Sequence, residues 1–208
     1  IAKVERFLIL AQNSDAVPLL LLTKVDQGIS EDWNQLQQEI KEIIIIHTSS
    51  FTGAGINEVR ELLSPDKTLV LLGESGVGKS TLVNELVGET IQQTTEVRSR
   101  DNKGRHTTIA RELMLIPSGG ILIDTPGIRG IGLWDAKEAL NKVFFEISEV
   151  ASYCRFSNCT HQVEPDCAIL AAIQQKEIDP QRFERYLRLV EELDEQEERL
   201  TLQRRKAK

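Results

Sequence analysis

Leu69-Val70-Leu71-Leu72-Gly73-Glu74-Ser75-Gly76-Val77-Gly78-Lys79-Ser80-Thr81 lies near the middle of the chain and carries its strongest structural signal. The apolar run 69–72 reads as a buried strand, and GESGVGKS over 73–80 fits the phosphate-loop pattern G-x-x-x-x-G-K-[ST]. Thr81 to Val87 then reads as a helix closed by Gly88. A chance glycine-rich turn would lack both flanks. Gly73, Gly76 and Gly78 let the backbone curl. The amide N–H groups along the loop, those of Glu74, Ser75, Val77 and Thr81 among them, can then face phosphates at the positive end of the helix. In that frame Lys79 reaches the β- and γ-phosphates and Ser80 holds Mg²⁺.

Two further motifs stand on either side. Thr23-Lys24-Val25-Asp26 ends the apolar strand 19–22, and Asp124-Thr125-Pro126-Gly127 ends the strand 121–123, 45 residues after Lys79. A carboxylate suits guanine, whose N1–H and exocyclic N–H lie side by side; adenine lacks that pair, so Asp26 can discriminate. The Lys24 stem is placed to cover a face of the base. Asp124 is placed to bind Mg²⁺ through water, and the Gly127 N–H to meet the γ-phosphate. The guanine motif precedes the phosphate loop, whereas in most GTP-binding domains the phosphate loop comes first. That order implies a circularly permuted GTPase domain.

Ile43 to Ile46 form a further β-branched strand. Ser49 and Ser50 follow where a backbone N–H would contact the guanine carbonyl, and Gly53 and Gly55 open a helix that Ser64-Pro65 stops. Residues 98–111 carry Arg98, Arg100, Lys103, Arg105 and Arg111 against Asp101 alone, although the chain has a net charge of −7. Two readings stand for this basic stretch: a solvated loop that neutralises nucleotide, and a contact to an RNA backbone. Within it, Thr107 or Thr108 is expected to complete the Mg²⁺ shell, with Thr108 favoured. Ile128 follows DTPG where many GTPases have a water-orienting glutamine. His106 is the candidate to replace it, by orienting or accepting from the water, against the simpler reading of a surface histidine.

All three cysteines fall in Cys154-x4-Cys159-x-His161-x5-Cys167. Thiolates with an imidazole suit one tetrahedral, structural Zn²⁺ with no open position. An odd cysteine count argues against disulfides. Asp179-Pro180 then reads as a helix start, and Phe183, Tyr186, Leu187, Val190 and Leu193 recur at helical spacing, a stripe expected to pack on its own domain. The charged end, 195–208, is expected to be solvated and frayed.

The chain of 208 residues, 40% hydrophobic, suffices for one α/β core plus a small appendage, and no apolar run is long enough to span a membrane. Strands alternating with helices predict a mostly parallel sheet with helices on both faces, and Ser118-Gly119 predicts one antiparallel hairpin between 112–117 and 120–124. A helix over 135–150 places the domain boundary near Ser148 to Ser152. The expected layout is thus a permuted GTPase domain over 1–150 and a zinc-binding helical domain over 151–208.

TKVD, Ser49-Ser50, GESGVGKST, GRHTT, DTPG, CRFSNCTH and EPDC in this order resemble the circularly permuted, ribosome small-subunit-dependent GTPase A family, RsgA, over essentially the whole chain. The resemblance implies a GTPase that uses GTP with Mg²⁺ and acts late in assembly of the small ribosomal subunit. It implies contact with that subunit and its rRNA, hydrolysis stimulated by the subunit, and release coupled to hydrolysis. A monomer in the cytoplasm is the expectation; an organelle is the alternative if a targeting segment precedes Ile1. Members usually begin with an OB-fold domain; none is visible here, and 1–12 reads as a helix leading into the GTPase. Thr23 stands where the family usually has asparagine, which predicts weaker guanine selectivity.

Overall fold

Alternating four-residue strands and short helices fill the middle of the chain. A computed structural model describes residues 1–40, 43–88, 112–125 and 133–206. The chain divides into two compact units, Leu19–Ile131 and a second made of Ile1–Pro18 with Gly132–Lys208.

In the first unit, β1 (Leu19–Leu22) pairs in parallel with β2 (Ile44–His47). β3 (Thr68–Leu71) pairs in parallel with β5 (Ile121–Asp124), which pairs antiparallel with β4 (Glu112–Leu115). The predicted hairpin is therefore present, turning at Gly119 with φ +97°. The strands form two ladders, β1-β2 and β3-β5-β4, rather than one continuous sheet. They share one core, in which Ile46 and Leu71 meet Val59 and Leu63, and Leu82, Val83 and Leu86 of α4 (Lys79–Val87). Each such side chain contributes about 1.5–3 kcal/mol by leaving water. Helix α4 ends at Gly88 in the left-handed conformation, as its sequence predicts. Gly55 starts α3 (Ile56–Glu61), and any Cβ there would stand 2.1 Å from the His47 carbonyl oxygen. Only glycine lets the chain leave the base-side loop at that point. Between the strands, α2 (Glu31–Glu39) buries Trp33 and Leu36.

In the second unit, α1 (Ala2–Asn13) packs on α5 (Lys137–Val143). The helix expected over 135–150 is two helices, α5 and α6 (Phe145–Ala151). They break at Phe144, whose φ/ψ of −112°/44° lets its fully buried ring enter the core. α7 (Ala168–Gln174) and α8 (Pro180–Lys206) complete the unit. The Asp179 carboxylate caps α8 by accepting from the Gln181 N–H at 2.7 Å. Phe183 and Leu193 are buried and Tyr186, Leu187 and Val190 pack beside them, so the apolar stripe is internal to its unit. The charged end is helical to Lys206, where the sequence suggests fraying; i,i+4 pairs such as Arg199–Glu195 line it.

The unit boundary falls near residue 131 rather than near 150, because residues 133–150 pack with α1 and the C-terminal helices. A buried charge cluster explains why α1 belongs there. Glu5 and Arg182 are both buried. The Glu5 carboxylate accepts from Arg185 Nε at 2.9 Å and from Arg182 Nη1 at 3.1 Å. Arg182 also donates to Glu146 and to the Val143 carbonyl, and its guanidinium stacks 4.5 Å above the Phe144 ring. Removing one member of such a set leaves buried charge uncompensated. Glu5→Gln is expected to destabilise this unit by about 3–5 kcal/mol. Urea unfolding followed by circular dichroism measures it; a midpoint equal to that of the unmodified chain contradicts the role given to Glu5.

Candidate functional site

The loops that leave β1, β2, β3 and β5 carry the nucleotide motifs. After β3 the chain turns through Gly76 and Gly78, both with positive φ, into the first turn of α4. Gly78 sits at φ +102°, and the Thr23 side chain lies within 3.9 Å of where its Cβ would be. The Lys79 Nζ folds over the loop and donates to the Gly73 and Glu74 carbonyls at 2.8 and 2.7 Å. An ammonium has three donors; these two bonds shape the loop, and a third N–H is available to an anion. Burial lowers the Lys79 pKa from its ordinary value, and the Asp124 and Glu74 carboxylates oppose that shift. Lys79 and Asp124 therefore share one electrostatic site. Ser80 follows Lys79 in the same first turn of α4.

Thr125 is a residue the sequence reading did not single out. Its buried hydroxyl donates to the Leu71 carbonyl at 2.5 Å, fixing the end of β5 to the end of β3 beside Gly73. A threonine inside a turn-rich DTPG carries no sequence signal for that bond.

The base-side loops are tied to the phosphate loop. The Thr23 Oγ1 donates to the Val77 carbonyl at 2.6 Å, and the Lys24 Nζ to the Gly76 carbonyl at 2.9 Å. Motifs about fifty residues apart, in reversed order, thus meet at one place. Lys24 itself adopts the left-handed conformation, φ +58°, which turns the chain out of β1 into a short 3₁₀ turn carrying Asp26. Ser49 is buried; its Oγ accepts from the Phe51 and Thr52 N–H groups, each at 3.2 Å, and donates to Asp26 Oδ1 at 2.5 Å. That relay holds the carboxylate in place. The Ser49 amide is already engaged with the Ala54 carbonyl at 3.0 Å. Gly127, Ile128, His106, Thr107, Thr108 and the basic stretch 98–111 lie outside the described residues.

The second site lies in the other unit. The ligand atoms of Cys154, Cys159, His161 and Cys167 all lie within 4.8 Å of one another. The Cys154 and Cys167 sulfurs are 3.9 Å apart, and each is 3.5 Å from His161 Nδ1. Tetrahedral zinc with ordinary bond lengths needs about 3.8 Å between sulfurs and about 3.6 Å between sulfur and nitrogen. The four residues therefore fit a zinc ion, and the sulfur separation far exceeds a disulfide bond. Burial lowers the His161 pKa, keeping the imidazole in its neutral, ligating form. Burial acts to raise the Cys154 thiol, but the Ala168 and Ile169 N–H groups together with the Cys159 and Cys167 thiols more than offset it, and its pKa falls. Burial and the neighbouring Cys167 and Cys154 thiols push Cys159 up to about 11. The Glu164 carboxylate organises the turn between ligands. It accepts from the Thr160 N–H and Oγ1 and from the Gln162 and Val163 N–H groups, which hold it well below the usual carboxylate range.

Among the described residues, no helix is long and apolar enough to cross a membrane. The chain is 43% identical over 195 residues to the small ribosomal subunit biogenesis GTPase RsgA of Methanosarcina acetivorans, covering 92% of this chain and 52% of that protein. It is 44% identical over 199 residues to the protein of the same name from Streptomyces avermitilis, covering 92% and 53%. It spans about half the length of the curated relatives it matches. Its fold is similar to the crystal structure of YjeQ from Thermotoga maritima, with a TM-score of 0.62, 28% identity, and coverage of 92% of this chain and 65% of that one. It is equally similar to YloQ, described as a circularly permuted GTPase, with a TM-score of 0.62, 26% identity and coverage of 94% and 63%. The sequence signature of the RsgA GTPase family matches residues 1–134. Reversed motif order, the loops that nonetheless meet, and these similarities lead to one conclusion: the chain belongs to the RsgA GTPase family.

Proposed function

We propose that this chain is the GTP-hydrolysing part of an assembly factor for the small ribosomal subunit, with hydrolysis stimulated by the subunit and coupled to release. The observation that carries this reading is the pair of bonds from Thr23 and Lys24 to Val77 and Gly76, which seat the base-side loop on the phosphate loop. Asp26 reads the guanine edge, Ser49 holds Asp26, and the Ser50 N–H serves the base carbonyl. Residues 73–81 cradle the phosphates, Lys79 neutralises the β- and γ-phosphates, and Ser80 and Asp124 hold Mg²⁺, with Thr108 closing its shell and Gly127 meeting the γ-phosphate. Zinc at Cys154, Cys159, His161 and Cys167 is structural: four protein ligands leave no position for substrate. The relatives' printed names support the small subunit as partner, and the basic stretch 98–111 supports a contact to its rRNA. A monomer acting in the cytoplasm completes the proposal.

The test is GTP turnover with small subunits, large subunits or neither. Stimulation by small subunits alone is the expected result. Binding without stimulated turnover would favour a slow GTP-switched module, the reading that Ile128 suggests. His106→Ala separates the steps: stimulated turnover is expected to fall roughly a hundredfold or more while GTP affinity stays within about twofold. Unchanged stimulated turnover would remove His106 from the mechanism.

A further inference from the structure

We infer that Thr23 gives the bound guanine no hydrogen bond at N7, so this site separates guanine selectivity from base affinity. The inference rests on the guanine-site reading above and concerns how that site is tuned. A threonine hydroxyl has one O–H donor and otherwise only acceptor lone pairs. At 2.6 Å from the Val77 carbonyl, the Thr23 hydroxyl donates there, and a carbonyl offers no proton in return. Toward any ligand, Thr23 therefore presents lone pairs and a methyl group.

Position decides which part of the base meets that surface. Thr23 stands between Asp26 and the phosphate loop, bonded to Val77 and next to Gly78. Asp26 suits the N1–H and N2–H edge of guanine. In a nucleotide with the ordinary anti glycosidic geometry, the imidazole edge, C8 and N7, lies on the side of the 5′-phosphates. Thr23, bonded across to Val77, is thus the side chain placed toward N7. N7 is an acceptor, and two acceptors do not bond. Lys24 is assigned to a face of the base, outside the ring plane in which N7 accepts, and its ammonium donates to the Gly76 carbonyl. Discrimination is unaffected, because it rests on Asp26, which Ser49 holds at 2.5 Å. N7 occurs in guanine and adenine alike, so a missing bond there weakens both equally. The consequence is a site that remains selective for guanine yet grips the base loosely and releases nucleotide readily. On this reading Thr23 costs affinity for the base, where the sequence alone predicts a cost in selectivity.

The experiment is a binding titration of the chain with GTP, 7-deaza-GTP and ATP, in which the deaza compound replaces N7 with C–H. The unmodified chain is expected to bind GTP and 7-deaza-GTP within about twofold of each other and ATP much more weakly. Thr23→Asn supplies a carboxamide with two N–H donors, one for Val77 and one for N7. It is expected to tighten GTP by about threefold to tenfold without tightening 7-deaza-GTP. A clear preference of the unmodified chain for GTP over 7-deaza-GTP would overturn the inference, and that comparison needs no variant to fold. Equal tightening of both compounds by Thr23→Asn would also overturn it. Failure to prefer GTP over ATP would overturn the guanine-site reading itself, a distinct outcome.

Discussion

Lys79→Met is expected to weaken GTP binding at least about a hundredfold, with turnover falling at least as far. Hydrogen bonds to charged groups are worth about 1.5–3 kcal/mol each, and tenfold in affinity is about 1.4 kcal/mol. Losing the contacts of one ammonium with two phosphates therefore suffices. A second effect adds to the first. Lys79 Nζ holds the Gly73 and Glu74 carbonyls at 2.8 and 2.7 Å, so its loss also frees the loop that presents the amides. Lys79→Arg is expected to rescue little, since a planar fork does not reproduce a compact point charge inside a closed loop. Equilibrium binding of a fluorescent GTP analogue checks both variants, and zinc content serves as a control for folding. Affinity within threefold of the unmodified chain would mean that the loop does not hold phosphate through Lys79.

Cys167→Ala is expected to reduce bound zinc from about one ion per chain to a small fraction and to lower the melting temperature by about 10 °C or more. Cys167 is the most buried of the four ligands and belongs to the same core cluster as Phe144, Ile169 and Phe183. Removing its sulfur leaves three ligands and a gap beside α7. The short turn 160–166 has little apolar burial of its own, and its order comes from Glu164 and the ligands. Chelation is expected to act in the same direction on the unmodified chain. So is acid: the His161 pKa is lowered by burial, so its contribution is present above the ordinary histidine value and is lost as pH falls. Zinc content by atomic absorption, measured against pH and with a chelator, is the check. Full zinc occupancy in Cys167→Ala would exclude this residue as a ligand.

Much of the molecule was legible from residue types. The phosphate loop, its flanking strand and helix, the Gly88 stop, the hairpin at Ser118-Gly119 and the Asp179 cap all follow from local rules that depend on a few neighbouring residues. The cysteine cluster was equally legible, because its chemistry lies within fourteen consecutive residues, 154–167. The division into units was not. The break at Phe144 and the placement of residues 133–150 depend on what buries them, and the Glu5–Arg182 pair spans 177 positions.

The parts of the nucleotide site and their reversed order are written in the residue string, since each motif is a short stretch whose geometry is set by glycine, proline and the ends of secondary structure. What each side chain does there depends on the folded contacts. Thr23 spends its proton on Val77, Ser49 on Asp26 and Thr125 on Leu71. A hydroxyl has one donor and several possible acceptors, and proximity between distant segments, which no local pattern encodes, selects among them.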